Sequence, residues 1–95
     1  MPKATWNNAV IAEAPDDDVQ IVEGNVYFPL TAVKAEYLTP SQTVTQCSWK
    51  GSANYYNVSV GGQVNKDAAW TYRAPLDAAK HITNYVAFWK GVRVD

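Results

Sequence analysis

Cys47-Ser48-Trp49-Lys50-Gly51-Ser52-Ala53-Asn54-Tyr55-Tyr56, continued by Asn57-Val58-Ser59-Val60, is the stretch that decides the fold. From Ala53 to Val60 the residues alternate, as a strand does. A two-residue period points Tyr56, Val58 and Val60 to one side and Ala53, Tyr55, Asn57 and Ser59 to the other. The first side reads as core. The second is small and polar around one tyrosine, which suits a wetted surface or the wall of a pocket. Ahead of the strand, Trp49-Lys50-Gly51 makes a turn beside the only cysteine.

Outward from this strand, glycine, asparagine and proline cut the chain into short extended pieces. Gly61-Gly62 is the clearest two-residue hairpin loop. The return strand reaches Ala68-Ala69-Trp70-Thr71-Tyr72, with Ala68, Trp70 and Tyr72 on one face and Thr71 and Arg73 on the other. Asn7-Asn8 suits a tight turn into a strand over 9–14. In Val19 to Glu23 the same parity sets the Glu23 carboxylate in line with Val19 and Ile21, an expected core face. Residues 30–38 are ambiguous and are read as a turn at 29–32 followed by a strand. Thr39-Pro40-Ser41 reads as a break. Pro75 to about Thr83 is the one good helix candidate, with proline at its first turn. Tyr85 to Trp89 is apolar on both faces and reads as a central strand. Seven or eight short strands and one short helix near 75–83 make a mainly β, mostly antiparallel fold.

A chain of 95 residues fits one domain, 1–95. The formal charge of −1 and the even spread of the six lysines and two arginines argue against a nucleic-acid partner. No run approaches the ~18 apolar residues of a membrane span. One cysteine makes no internal disulfide, and the start lacks the apolar stretch of a secretory signal, so a reducing, cytoplasmic setting is expected.

Four motifs in order carry a resemblance over almost the whole chain. They are Glu23-Gly24-Asn25 with Tyr27-Phe28-Pro29, Cys47-x-Trp49-Lys50-Gly51-x-Ala53-x-Tyr55-Tyr56, Asp67-Ala68-Ala69-Trp70-x-Tyr72-x-x-Pro75, and Tyr85-Val86-Ala87-Phe88-Trp89. Together they resemble domain-of-unknown-function family 427, sometimes labelled a nucleotidyltransferase domain. The resemblance implies a compact, tent-like fold of two antiparallel sheets and a site more than an activity. Ser48 departs from the pattern, since many relatives carry proline after the cysteine.

The nucleotidyltransferase label asks for Gly-Ser followed closely by acidic residues that hold Mg²⁺. Here Gly51-Ser52 is followed by Ala-Asn-Tyr-Tyr, and the acidic run Asp16-Asp17-Asp18 reads as a solvated loop. Cys47, with Lys50 nearby to favour the thiolate and His81 as base, is a candidate nucleophile; the competing reading is a small buried hydrophobe. One cysteine and one histidine fall short of a structural zinc site, so neither a metal nor another cofactor is expected. Glu23 is the other catalytic candidate. On a core face it needs a partner, and Lys50, Asn25 or a tyrosine could serve.

The leading expectation is a small-molecule ligand beside the Trp49-Lys50-Gly51 turn. Glu23, Asn25, Tyr27, Trp49, Lys50, Tyr55, Trp70 and Trp89 are its expected neighbours, with Lys50 meeting an anionic or carbonyl group. The alternatives are an enzyme, as labelled or a hydrolase using Glu23 or Cys47, and an interaction module such as a homodimer joined along a strand edge.

Overall fold

The computed structural model of the chain describes residues 1–95. Nine strands form: β1 (Lys3–Trp6), β2 (Ala9–Glu13), β3 (Gln20–Val22), β4 (Asn25–Pro29), β5 (Leu38–Cys47), β6 (Gly51–Val60), β7 (Gln63–Thr71), β8 (Tyr85–Phe88) and β9 (Arg93–Val94). They build two antiparallel sheets, a three-stranded one in the order β2-β1-β9 and a six-stranded one in the order β3-β4-β8-β7-β6-β5. The fold is therefore mainly β with two sheets, and carries more strands than the seven or eight expected.

Turn chemistry sets three of the hairpins. Asn7-Asn8, Glu23-Gly24 and Gly61-Gly62 each join two strands with both residues at positive φ. That conformation matches the right-handed twist of the flanking strands. Asparagine and glycine tolerate it readily; Glu23, at φ 53°, does not.

The larger core lies between the sheets. Ala4, Ile11 and Ala12 of the small sheet pack there with Phe28, Val58, Ala69, Val86 and Phe88 of the large one. A bulge lets Ile11 and Ala12, neighbours in β2, both bury: Ala4 pairs with Ala12 but Thr5 pairs with Val10. A second core covers the opposite face of the large sheet, with Val22, Tyr27, Ala53, Tyr72, Ala79, Ile82 and Ala87. Central β8 feeds both, Val86 and Phe88 to one side and Ala87 to the other, which explains its unbroken apolar run. The alternation of β6 is realised the same way. Tyr56, Val58 and Val60 pack on the first core, while Ala53 and Tyr55 pack on the second.

Five expectations fail. The Val19–Ile21–Glu23 set is not one core face: Val19 packs on the first core, but Ile21 is 63% exposed, Glu23 is exposed, and Val22 is the residue of β3 that buries. As an edge strand β3 is covered on one side only, and parity alone does not say which. Residues 33–37 are not a strand. One 3-10 turn, Leu30–Ala32, precedes them and a second, Ala35–Tyr37, lies within them, and a single bridge ties Val33 to Ala12 of β2. Pro40 does not end a strand; β5 runs through it as a sheet edge, where a missing N–H is tolerated, with a bulge before Val44. The helix at 75–83 is a 3-10 turn over Asp77–Ile82, kinked at Ala79, which plugs Ala79 and Ile82 into the second core. Ala68 also departs from Trp70 and Tyr72, joining the first core instead. No helix is long and apolar enough to cross a membrane.

The reversal at β3 is directly measurable. Val22→Ala is expected to cost about 1–3 kcal/mol in urea unfolding, whereas Ile21→Ala stays within about 0.5 kcal/mol of wild type. Equal losses at both positions would contradict the observed face.

Candidate functional site

Lys50 is the buried charge of the molecule. It ends the turn between β5 and β6, and its backbone carbonyl accepts a hydrogen bond from Leu76 N at 2.9 Å, which fixes the main chain. Gly51 follows at φ 105°, a backbone conformation that residues with a Cβ rarely adopt, beside the Pro75–Leu76 backbone. A glycine is therefore required where the turn docks. The Lys50 side chain, 8% exposed, runs inward. Its ammonium lies 5.0 Å from the centre of the Trp49 ring and 5.7 Å from that of Tyr72.

Glu23 pairs with this ammonium from the tip of the β3–β4 turn. The Trp49 indole Nε1 also donates to Glu23, at a long 3.4 Å. Glu23 itself is 53% exposed. The Lys50 hydrogen bond holds its carboxyl below the usual carboxylate range, against an opposing effect of desolvation. Burial pulls Lys50 down, but the hydrogen bond to Glu23 and the Tyr72 and Tyr27 phenols outweigh it, so the net shift is upward. The two shifts agree: the pair is ionised in the fold.

Beside the ammonium opens a recess of about 230 Å³ lined by Lys50, Tyr55, Trp70, Tyr72 and Trp89. Trp70 is its hub. The Trp70 ring meets Trp89 edge-on at 6.0 Å, Tyr27 edge-on at 6.2 Å and Tyr55 tilted at 6.5 Å. Trp70 Nε1 donates to the Tyr27 hydroxyl at 3.1 Å, and the Tyr55 hydroxyl shares a hydrogen bond of 3.0 Å with Thr45 Oγ1. Burial raises the Tyr27 phenol above its ordinary value and pushes Tyr72 up to about 12, in both cases opposed by Lys50. A second hollow, of about 270 Å³, lies between Met1, Pro2, Asp16, Val26, Val94 and Asp95. It has no aromatic wall, and Asp16 is already paired with the Met1 amino group, so the aromatic recess is the better candidate.

Of the residues expected from sequence, Lys50, Tyr55, Trp70 and Trp89 share the recess. Tyr27 is fully buried behind Trp70, and Glu23 and Trp49 stand at Lys50 without lining the hollow. Asn25 pairs with Val22 to close the hairpin and lines nothing. Cys47 packs against the second core, and backbone N–H groups of Trp49, then Lys50, lower its thiol against desolvation. No hydrogen bond joins Cys47 to exposed His81 on the 3-10 turn.

Two residues escaped the sequence reading. Tyr72 was placed on the Trp70 face but not in the site. Asp67 was seen only as part of a motif, yet it holds one wall. At φ 56° it sits in a β7 irregularity opposite Tyr56–Val58, while β5 bulges between Pro40 and Val44 on the other side of β6. Asp67 N donates to Asn57 Oδ1 at 2.9 Å, and its carboxylate reaches across β6 to accept from Ser41 Oγ and, at 2.9 Å, from Thr43 Oγ1. Those hydroxyls hold the carboxyl below its usual range. The Asp67 carbonyl accepts the Trp89 indole N–H, which orients a ring that is 46% exposed. The signal was Asn65-Lys66-Asp67, three poor strand formers inside an extended run.

Residues 3–95 match the family described as Domain of unknown function (DUF427), whose short name carries a nucleotidyl-transferase label. This is the family that the four motifs resemble. A search of curated proteins finds no match.

Alkaline pH tests the Tyr72 environment. Its folded-state pKa of about 12 lies above the ordinary 10.0, so the stability it contributes is complete below pH 10.0 and is lost as pH climbs towards 12. Tyr72→Phe is expected to lose less Tm than wild type across that window. Identical Tm profiles would refute the buried-phenol assignment.

Proposed function

The chain belongs to the family described as Domain of unknown function (DUF427), and on that footing we propose that it binds a small ring-bearing molecule in the recess beside Lys50. One observation carries this reading: four aromatic side chains and one buried ammonium converge on an open hollow. Mostly apolar walls with a single well-placed polar group are the usual make-up of a small-ligand pocket. Its size is suitable as well. A dry cavity of about 150 Å³ accepts benzene. A recess of about 230 Å³ therefore has room for a bicyclic ring, or for one ring with a polar substituent.

The enzyme readings have less support. No group of three or more His, Cys, Asp or Glu side chains is placed to hold a metal ion, so the nucleotidyltransferase label finds no carboxylate set to hold its triphosphate metal. Glu23, held low by Lys50, is a poor proton acceptor, and neither it nor Cys47 lines the recess. The β5 edge carries Pro40 and a bulge, both of which blunt strand addition, so the reading rests on the recess and not on a paired edge.

The test is proton–nitrogen correlation NMR with indole as a neutral probe. The indole N–H signals of Trp70 and Trp89 are expected to move with probe concentration while that of Trp6, on the first core, stays still. Trp89→Ala, at an exposed wall, should weaken binding by about 0.5–1.5 kcal/mol. Shifts confined to residues away from the recess would overturn the proposal.

A further inference from the structure

We propose that the ligand of this recess carries a carboxylate as well as a ring, and that Glu23 holds its place on Lys50 in the free protein as an internal competing anion. The inference rests on the recess being a binding site. It adds the charge of the ligand and the residue that yields to it.

The argument begins with unspent hydrogen-bonding capacity. An ammonium has three N–H donors and no acceptor. That of Lys50 makes one hydrogen bond, to Glu23. Around the rest of the ammonium stand the Trp49 and Tyr72 rings, and Lys50 lines the hollow. Aromatic faces attract a cation but do not replace oxygen acceptors. A group this deeply buried calls for them. Lys50 is also the one charged residue lining the recess, so an incoming acceptor meets no anion already inside. A cationic ligand is disfavoured by the same charge.

The two members of the ion pair differ in what holds them. Lys50 is fixed by its buried stem, by two flanking rings and by the hydrogen bond from Leu76 N. Glu23 stands more than half exposed on a two-residue turn beside an edge strand, its second contact the long one from Trp49. The carboxylate can therefore swing into water without disturbing the core, whereas the ammonium cannot leave. An arriving anion takes over a site already built for a carboxylate. Water takes over the departing Glu23. A single cation balances a monoanion, which favours a carboxylate over a doubly charged phosphate.

The full chain would be titrated with indole-3-acetate and with its neutral isostere indole-3-acetamide, following the Trp70 and Trp89 indole N–H signals. Wild type is expected to bind the acetate at least about tenfold more tightly than the amide. Glu23→Gln, which keeps the side-chain shape on an exposed turn, should tighten the acetate a further several-fold and leave the amide unchanged. Glu23→Asp, which keeps the competing charge, should stay nearer to wild type than Glu23→Gln. Equal binding of both probes, or a Glu23→Gln variant that binds the acetate no better or less well, overturns the inference while leaving the recess as a site. Failure of both probes in every variant overturns the reading beneath it as well.

Discussion

A buried ammonium must be paired, and in this fold that requirement links parts of the chain that are distant in sequence. Removing an unpaired charge from water costs several kcal/mol even after the surroundings relax. Lys50 avoids this by meeting Glu23, 27 residues earlier, between two aromatic faces. For the pair to form, the β3–β4 hairpin must lie at the edge of the large sheet, and the turn before β6 must dock on Leu76. Gly51 permits that docking because the turn there takes φ 105°, a conformation that residues with a Cβ rarely adopt. The ion pair is thus an outcome of the sheet order as much as a contributor to its stability. Its exposed half is screened by solvent, so its energetic contribution is that of a half-open pair.

The backbone at Glu23 bears on the same point. A left-handed conformation costs a residue with a Cβ about 1–2 kcal/mol, and glycine or asparagine would occupy the position with less strain. The chain places glutamate there instead, and the turn aims its carboxylate at Lys50. The strain is local and the reward is electrostatic. A side chain kept at an unfavourable φ for one contact is more readily understood as part of a site than as a turn former.

How much of this was legible depended on range. Local chemistry read well. Asn7-Asn8 and Gly61-Gly62 announced their hairpins, the alternation of 53–60 put Tyr56, Val58 and Val60 on a core face, and the unbroken apolar run of 85–89 marked a central strand; that Ala53 on the other face is core as well was not legible. Where one face of an edge strand had to be chosen, as at Ile21 and Val22, parity supplied two answers and no means of choosing. For Glu23 the sequence offered Lys50, Asn25 or a tyrosine as partner without choosing among them, and it set the carboxylate on the wrong surface. The carboxylate arrives from a turn beside the strand, not along a buried face. The Asp67 network was out of reach altogether. It needs two strand irregularities, one on each side of β6, to fall in register, and register is a property of three strands together.

That network gives the recess two mechanically different halves. Trp70 and Tyr72 stand on β7 or just beyond it, packed with the second core and backed by the fully buried Tyr27. Their rings cannot shift without opening a close-packed interior. Trp89 lies past the end of β8, its indole fixed by the Asp67 carbonyl, while Glu23 sits on its turn. The Trp89 indole is held by one hydrogen bond and Glu23 by its contacts with Lys50 and Trp49, and each can be displaced individually. A rigid aromatic floor gives a ring a preformed surface to stack on, which limits the ordering cost of binding. A yielding rim lets that ring enter and lets one carboxylate exchange for another. The separation follows from the bulge that takes Asp67 out of the β7 ladder: the same irregularity that interrupts the pairing frees its carbonyl to accept the Trp89 indole N–H.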